Sequence, residues 1–586
     1  MAKYDLETIR HSTAHLMAQA IKRLYPKDNV ELGIGPTIEQ GFYYDIQMDH
    51  KIQDEDLAKI EETMKTIINE KLMVTRHETD KAEALKLFKE KNEGLKLELI
   101  NDFPEGEVVS YYTQGEFMDL CTGPHVENTG HLPQFFKLTS TAGAYWRGDE
   151  KRPMLQRVYA ACFTTKKQLE DYLTFMEEAK KRDHRKLGKE LELFIFDQVA
   201  PASPFFMPKG AFVYNQLVEF IRRIYAQFGY SEVITPQVLD SELWHTSGHY
   251  AHYKENMYFT PIDEREFALK PMNCPCHMLM FKHFKYSYRD LPLRYADFGR
   301  LHRYEKSGAI SGLTRVRSFC QDDAHIFIPL NKVQDEIKVL MEMFFMVYDH
   351  FGFTDIKVNL STRPTEKSGD DNTWDIAENA LKAALESSGK PFKIKEGDGA
   401  FYGPKIDIEI ADSIKRYFQL GTIQLDFQLP DRFDLKFTNE KGELERPVVL
   451  HRALLGSLER FFGVYLEHVA GVFPFWLAPE QATIVPVRNE NHLEYCQNLT
   501  KKLMHQGFRV SVDERNESMG LKTRQIQMNK TPFMLVVGDK EMQTDSVSIR
   551  RYGEQKSETK TFDELVALMK ELDLEKVPAP LRTLKL

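Results

Sequence analysis

Hydrophobic and polar positions along the chain divide it into three stretches of different texture. Up to about residue 180, apolar residues recur at helical spacing over 7–25 and 54–70, with short runs between them that read as strands. A further helix is expected from Lys166 into the basic segment AKKRDHRKLGKE at 179–190. From LELFIF at 191 to FPFWLAPEQ near 473–481, helical runs at 210–228, 331–351 and 373–388 alternate with β-rich stretches such as RYADF, RVRSF and YFQLGTIQLDF. That order indicates an α+β fold with a large antiparallel sheet, closed by two prolines and an apolar-aromatic cluster. From about 482, ATIVPV, FRVSVD and FMLVVG alternate with helices expected at 490–506, 518–529 and 561–572, with one short strand before the last. This is the pattern of a small α/β domain with a mixed or parallel sheet. The expected organisation is an N-terminal α+β domain with a linker helix (1–181), a central α+β domain (182–477) and a C-terminal α/β domain (478–586).

Composition changes this picture little. With 42% hydrophobic and 28% charged residues the 586-residue chain is an ordinary globular one. A net charge of −10 excludes adhesion to nucleic acid through bulk charge, so any RNA contact must use local basic surface. The segment 179–190 is one candidate, although a solvated helix face is its more ordinary reading. The start MAKYDLETIRHSTAHL has no signal pattern, and no apolar run approaches the roughly 20 residues of a membrane span. The 6 cysteines are scattered without disulfide-framework spacing, which favours a reducing cytosol and expects the protein in the cytoplasm. No GxxxxGK[ST] loop occurs, and no GxGxxG opens the last domain, so P-loop and dinucleotide chemistry are unsupported.

The densest chemistry lies in LRYADFGRLHRYEKSGAISGLTRVRSFCQDDAHIFI, residues 293–328. It reads as a strand, a polar Ser/Gly-containing loop and a returning strand. Side chains alternate faces along a strand. One face of the returning strand would therefore carry Arg315, Arg317, Phe319, Gln321, Asp323 and His325, and the other Val316, Cys320, Ala324 and Ile326. The first row is a binding surface; the second is packing.

Arg303-Tyr304-Glu305, the loop and Arg315 to His325 resemble motif 2 of class II aminoacyl-tRNA synthetases. AFVYNQLVEFIRRIYAQFGYSEVITPQVL at 211–239 is similar to motif 1, and HRALLGSLERFFGVYLEH at 451–468 to motif 3. The resemblance implies a class II antiparallel-sheet catalytic core that attacks the ATP α-phosphate with an amino-acid carboxylate. Such chemistry asks for positioning and for fixed cations around phosphate oxygens, including magnesium brought with ATP. It further implies that Arg303 holds the α-phosphate, Glu305 meets the adenine amino group, Phe319 stacks on adenine, Arg315 reaches the phosphates and Arg460 covers the base and the γ-phosphate.

KPMNCP, QDDAHIF and HRALLGSLERF narrow the likeness to threonyl-tRNA synthetases. No local spacing marks a metal site, and a lone histidine such as His325 or His451 is ordinarily a core or surface residue. The resemblance instead implies one zinc ion on Cys274, His325 and His451. Three protein ligands leave open positions that the amino and hydroxyl groups of L-threonine can fill. Asp323 would receive the hydroxyl proton, with Gln321, Tyr402, Lys405, Gln419 and Gln424 lining the pocket. Cys276 stands where many members have glycine and is expected to be a small buried packing residue.

Serine carries the same two chelating groups. Its missing methyl is worth only about 1–3 kcal/mol, or roughly 10–200-fold, so a second, hydrolytic site is expected. HSTAH places His11 and His15 one helical turn apart, and DLCTGPH brings Cys121 and His125 with the same separation. Read alone, the quartet suggests a four-ligand zinc site. With GFYYD, KLELI and AYWRGD the segment resembles the editing domain of bacterial-type threonyl enzymes, which implies hydrolysis of Ser-tRNA. Asp119 and Lys96 match further editing positions. The related alanyl editing domains use a similar quartet and can bind metal, so a metal stays open. Attack by a positioned water is expected, with a Cys121 nucleophile as the other chemical route.

The last domain resembles the anticodon-binding domain of several class II synthetases, with Glu541 and Arg550 matching base-reading positions; solvent charges at a strand end are the plainer alternative. The likeness implies tRNA(Thr), ATP and L-threonine as partners, a homodimer through motif 1 and no membrane contact. Family members usually carry a ubiquitin-like domain ahead of the editing domain. This chain is expected to lack it, as a short form or through truncation. A non-catalytic, synthetase-like sensor of amino acid or tRNA is the alternative in another class; it should have lost parts of the ATP set.

Overall fold

A computed structural model describes residues 3–149 and 151–582. The chain forms two compact units, residues 1–178 and 179–586.

The first unit is built on the helix Leu6–Leu24. Asp5 caps it, accepting the Thr8 amide at 2.7 Å, and Lys22 and Arg23 in its last turn complement the helix dipole. This helix packs against the helix Asp54–Glu70 and the strand Gly41–Gln47. Among the described residues that strand belongs to a five-stranded sheet with Glu31–Leu32, Thr37–Ile38, Phe136–Tyr145 and Met154–Cys162. A separate three-stranded sheet, Val74–Thr79, Val109–Gln114 and Phe117–Leu120, carries Asp119 on its last strand and leads directly into Cys121.

In the second unit the described residues form a nine-stranded sheet. Its spatial order is Ser231–Glu232, Leu293–Asp297, Ser318–Ile328, Val448–Ser457, Tyr417–Asp426, Lys405–Ala411, Ile356–Ser361 and Phe392–Lys395, with Arg300–His302 pairing onto Ser318–Ile328. The two outermost pairings are parallel and the rest antiparallel. One face is packed by the helices Pro208–Gln227, Val333–His350, Asp371–Ser388 and Leu458–His468, with Ala324, Ile326 and Ile328 pointing into that core. The opposite face meets the helix Cys274–His283 around Phe327 and Val449. The alternation expected along 318–328 is therefore real: even positions serve the core and odd ones the other side.

Two details differ from the pattern read in the sequence. The strand begins at Ser318, so Arg315 and Arg317 do not belong to its row. Arg317 is instead fixed by loop contacts, its amide donating to the Ala202 carbonyl at 2.8 Å and its guanidinium to the Glu305 carbonyl at 2.8 Å. Second, the ladder slips: Gln321 faces Ser457, but Asp323 faces Ala453. The partner strand bulges over Leu454–Gly456, and buried Asp322 accepts the Leu454 and Leu455 amides at 2.9 and 3.0 Å. Gly456 takes φ +76°, a conformation that a side chain would strain. Buried Arg452 lies 3.3 Å from the Asp322 carboxylate. Burial nevertheless pushes the Asp322 carboxyl up to about 7.

At the C-terminal end Val510–Val512, Ala482–Pro486 and Phe533–Val537 pair in parallel, and Ser546–Arg551 and Ser557–Thr561 add antiparallel. The sheet is mixed, and the region expected to hold one short strand holds two strands and the one-turn helix Asp539–Gln543. No helix among the described residues is long and apolar enough to cross a membrane.

Candidate functional site

Cross-strand register assembles the first site. His325 pairs directly with His451, and His451 with Gln424 on the next strand; one step along, Asp323, Ala453 and Thr422 form a second row. Cys274 enters from the first turn of the helix Cys274–His283, where Pro275 removes an amide that a helix start leaves unused anyway. Cys274, His325 and His451 are 3%, 1% and 8% exposed, and one donor atom from each lies within 4.8 Å of the others. Cys276 is buried and stands outside this group.

Each histidine has one ring nitrogen already engaged. His325 Nδ1 lies 2.8 Å from His277 Nδ1, and His451 Nε2 lies 2.8 Å from the Asp426 carboxylate. His325 Nε2 and His451 Nδ1 remain for a metal, each ring oriented by a second residue as metal-binding histidines usually are. Burial holds the Cys274 thiol well above its ordinary range and keeps His325 neutral. A buried sulfur and two imidazoles suit a zinc-like dication, which would draw the thiolate.

The pocket around this trio is also lined by Gln321, Asp323, Tyr402, Thr422 and Gln424. Asn273 aims Asp323, its amide donating at 3.1 Å. Lys405 stands opposite Gln424 in register, 2.8 Å from Asp407, and is not among the lining residues. Arg303, Gln321, Leu420 and Gly456 line both this pocket and an adjoining cleft that holds Glu305, Arg315, Phe319, Gln419 and Arg460. There the Arg303 guanidinium sits 5.0 Å from the Phe319 ring centre, and Arg315 donates to Glu305 at 3.0 Å. Arg460 donates to the carbonyls of Thr314 and Gln419 at 3.1 and 3.0 Å. Burial and then the charge of Arg315 press against the charge on Arg460, as expected of cations gathered around a place for an anion. Arg315 reaches the cleft from the loop, not from the strand.

A second cleft lies within the first unit. His11 Nε2 and His125 Nε2 each lie 3.2 Å from Cys121 Sγ. His15, Lys96 and Tyr44 converge on the buried Asp119, with Lys96 Nζ at 2.6 Å, His15 Nε2 at 3.4 Å and the Tyr44 hydroxyl donating. All of these except His125 line one cavity. Burial holds His11, His15 and His125 below the ordinary histidine range, His125 at about 2, and pushes the Cys121 thiol up to about 11. The site therefore offers neutral imidazoles that can accept a proton from water, beside a thiol rather than a thiolate. The donor atoms of His11, His15, Cys121 and His125 also lie within 4.8 Å of one another, so a metal fits the geometry.

Glu541 and Arg550 have local partners. The Glu541 carboxylate accepts the Gly538 amide at 3.0 Å, and Arg550 donates to the Glu554 carbonyl at 2.8 Å. Asn273, His277, Asp322, Asp426 and Tyr44 were not foreseen as functional. Asn273 and His277 sit inside the phrase MNCPCH and Asp426 lies two residues beyond Gln424 on the same face, so period-two reasoning could have reached the last.

Residues 253–469 match the tRNA synthetase class II core domain (G, H, P, S and T), 481–572 an anticodon binding domain, and 109–159 the threonyl and alanyl tRNA synthetase second additional domain. Threonine–tRNA ligase 2 of Bacillus subtilis is 52% identical over 95% of this chain and 86% of its own length. The threonine–tRNA ligase of Carboxydothermus hydrogenoformans is 51% identical over 96% of this chain and 89% of its own. Among solved structures, the RNA binding domain of threonyl-tRNA synthetase from Cryptosporidium parvum is 47% identical with a TM-score of 0.65, covering 67% of this chain and 98% of that one.

Proposed function

Since the chain belongs to the threonine–tRNA ligase family, with a class II core, an anticodon-binding domain and an editing domain, we propose that it activates L-threonine with ATP, transfers it to tRNA(Thr) and hydrolyses Ser-tRNA(Thr). The observation that carries this reading is the alignment of Cys274, His325 and His451 in a pocket continuous with the arginine-lined cleft. A zinc ion on those three residues would supply an open Lewis-acid position for the amino and hydroxyl groups of threonine. Asp323, held by Asn273, takes the hydroxyl hydrogen bond, and Gln321, Tyr402 and Gln424 close around the amino acid. Arg303 and Arg460 hold the phosphates of ATP, which enters with magnesium. Phe319 stacks on adenine, and Glu305 exchanges its bond with Arg315 for the adenine amino group, freeing Arg315 for phosphate. Lys405 acts from beside the pocket. These charged groups are fixed before reaction, which is where most of the rate comes from in such chemistry.

In the first unit, His11, His15, Cys121 and His125 position a water, with Lys96 and Asp119 shaping the cavity. Glu541 and Arg550 would leave their local partners to read anticodon bases. We place the editing domain at 1–181, the catalytic domain at 182–477 and the anticodon domain at 478–586, in a cytoplasmic homodimer formed through 211–239. The 90% exposure of Ile234 supports that face.

Threonine-dependent ATP–pyrophosphate exchange tests the reading. Zinc-replete protein is expected to exchange label only with threonine present. Absence of exchange would favour a sensor that binds without activating, although Arg303, Glu305, Arg315, Phe319 and Arg460 are all in place.

A further inference from the structure

His184 joins three segments that lie far apart in the chain. It opens the helix His184–Glu190, and its ring is buried at 4% exposure. The Leu313 amide donates to its Nε2 at 2.9 Å. An amide can only donate, so Nε2 is unprotonated and Nδ1 carries the hydrogen. That hydrogen goes to the Glu467 carboxylate at 2.6 Å, which also accepts the His184 amide at 2.9 Å. Glu467 is held from its other oxygen by Arg416 at 2.5 Å. Asp183, His184 and Glu467 bring donor atoms as close together as the zinc trio does. With both imidazole nitrogens engaged in hydrogen bonds, however, His184 has no lone pair left for a metal.

What the imidazole holds is the edge of the nucleotide cleft. Among residues 303–315 only Leu313 is buried, so the loop has a single apolar anchor. Leu313 lies in the turn Gly312–Thr314, whose Thr314 carbonyl receives Arg460 and whose next residue is Arg315. Glu467 and Arg460 share the helix Leu458–His468. The joint leaves no spare room: a Cβ on Gly312 would fall 2.2 Å from His184 Nε2, and one on Gly463 3.1 Å from the Leu313 side chain.

We propose that His184 is a positioning residue for ATP, pinning the loop that carries Arg315 to the helix that carries Arg460 so that the two segments are set against each other before the nucleotide arrives. The inference rests on the activation reading above. Replacing the ring separates its two bonds. In His184→Gln the amide oxygen can stand where Nε2 accepts from Leu313; in His184→Asn the amide nitrogen can stand where Nδ1 donates to Glu467. Exchange kinetics with ATP and threonine varied separately, and ATP binding by calorimetry, are measured on the full-length protein. His184→Ala is expected to raise the KM for ATP about tenfold, the scale of one lost buried hydrogen bond, while the KM for threonine and the zinc content stay unchanged. His184→Gln should recover most of the ATP affinity and His184→Asn little of it. Recovery by Asn alone, an equal rise in both KM values, or an unchanged KM for ATP would each overturn the proposal. A wild-type protein that binds ATP yet exchanges nothing would sink the activation reading, and the calorimetric comparison of the variants would still decide the role of His184.

Discussion

Valine is expected to be activated on the order of 10⁴–10⁵-fold less efficiently than threonine, and serine only about 10–200-fold less. The two ratios follow from different physics. Valine matches threonine in shape but has no hydroxyl. In its complex Asp323, half-buried in the pocket and already turned by Asn273, would lose its hydrogen-bond partner, and the open position beside Cys274, His325 and His451 would stay unfilled. Buried groups left unpaired are costly, whereas a pocket that merely fits a methyl gains little from it. Serine satisfies every polar group and loses only that methyl contact. Exchange rates for the three amino acids at saturating ATP measure both ratios directly. Valine activated within about 200-fold of threonine would mean that an apolar pocket, not the hydroxyl-binding group, selects the substrate.

Replacing His11 with alanine should slow hydrolysis of Ser-tRNA(Thr) by about 10²-fold or more, the usual range for losing a proton-transfer group, and leave threonine-dependent exchange intact. His11 lies 3.2 Å from Cys121 Sγ at a cavity whose imidazoles burial keeps neutral. A neutral imidazole can take a proton from water. The adjacent thiol, pushed up to about 11, is a poor source of thiolate. Deacylation of purified Ser-tRNA(Thr) by the variant gives the answer: undiminished hydrolysis would remove His11 from the mechanism, and a trapped seryl-thioester on Cys121 would replace water attack with covalent catalysis.

How much of this was legible beforehand depended on the range of the interaction. Helices with an apolar stripe and a capped start, such as Leu6–Leu24 and Asp54–Glu70, were placed within one residue by local pattern. The odd-numbered row Phe319, Gln321, Asp323 and His325 followed from strand alternation alone. Arg315 and Arg317 did not, because contacts with Ala202 and Glu305, remote in sequence or across the loop, hold them out of the ladder. Asp322 was invisible for a related reason: its task is to satisfy a bulge on another strand, and register slips leave no periodic trace. The metal trio depends on one helix start and two paired strands, so only resemblance to a family could gather it. His184 was read as part of a basic linker, although its ring is buried against Leu313 and Glu467.

The central claim is that a metal ion on Cys274, His325 and His451 selects threonine, and metal content measured alongside threonine-dependent exchange tests it most directly. Purified protein should carry one zinc ion per chain, and Cys274→Ala should lose both the zinc and the exchange while still binding ATP. A Cys274→Ala protein that keeps its zinc, or wild-type protein that exchanges undiminished after the zinc is stripped, would contradict it.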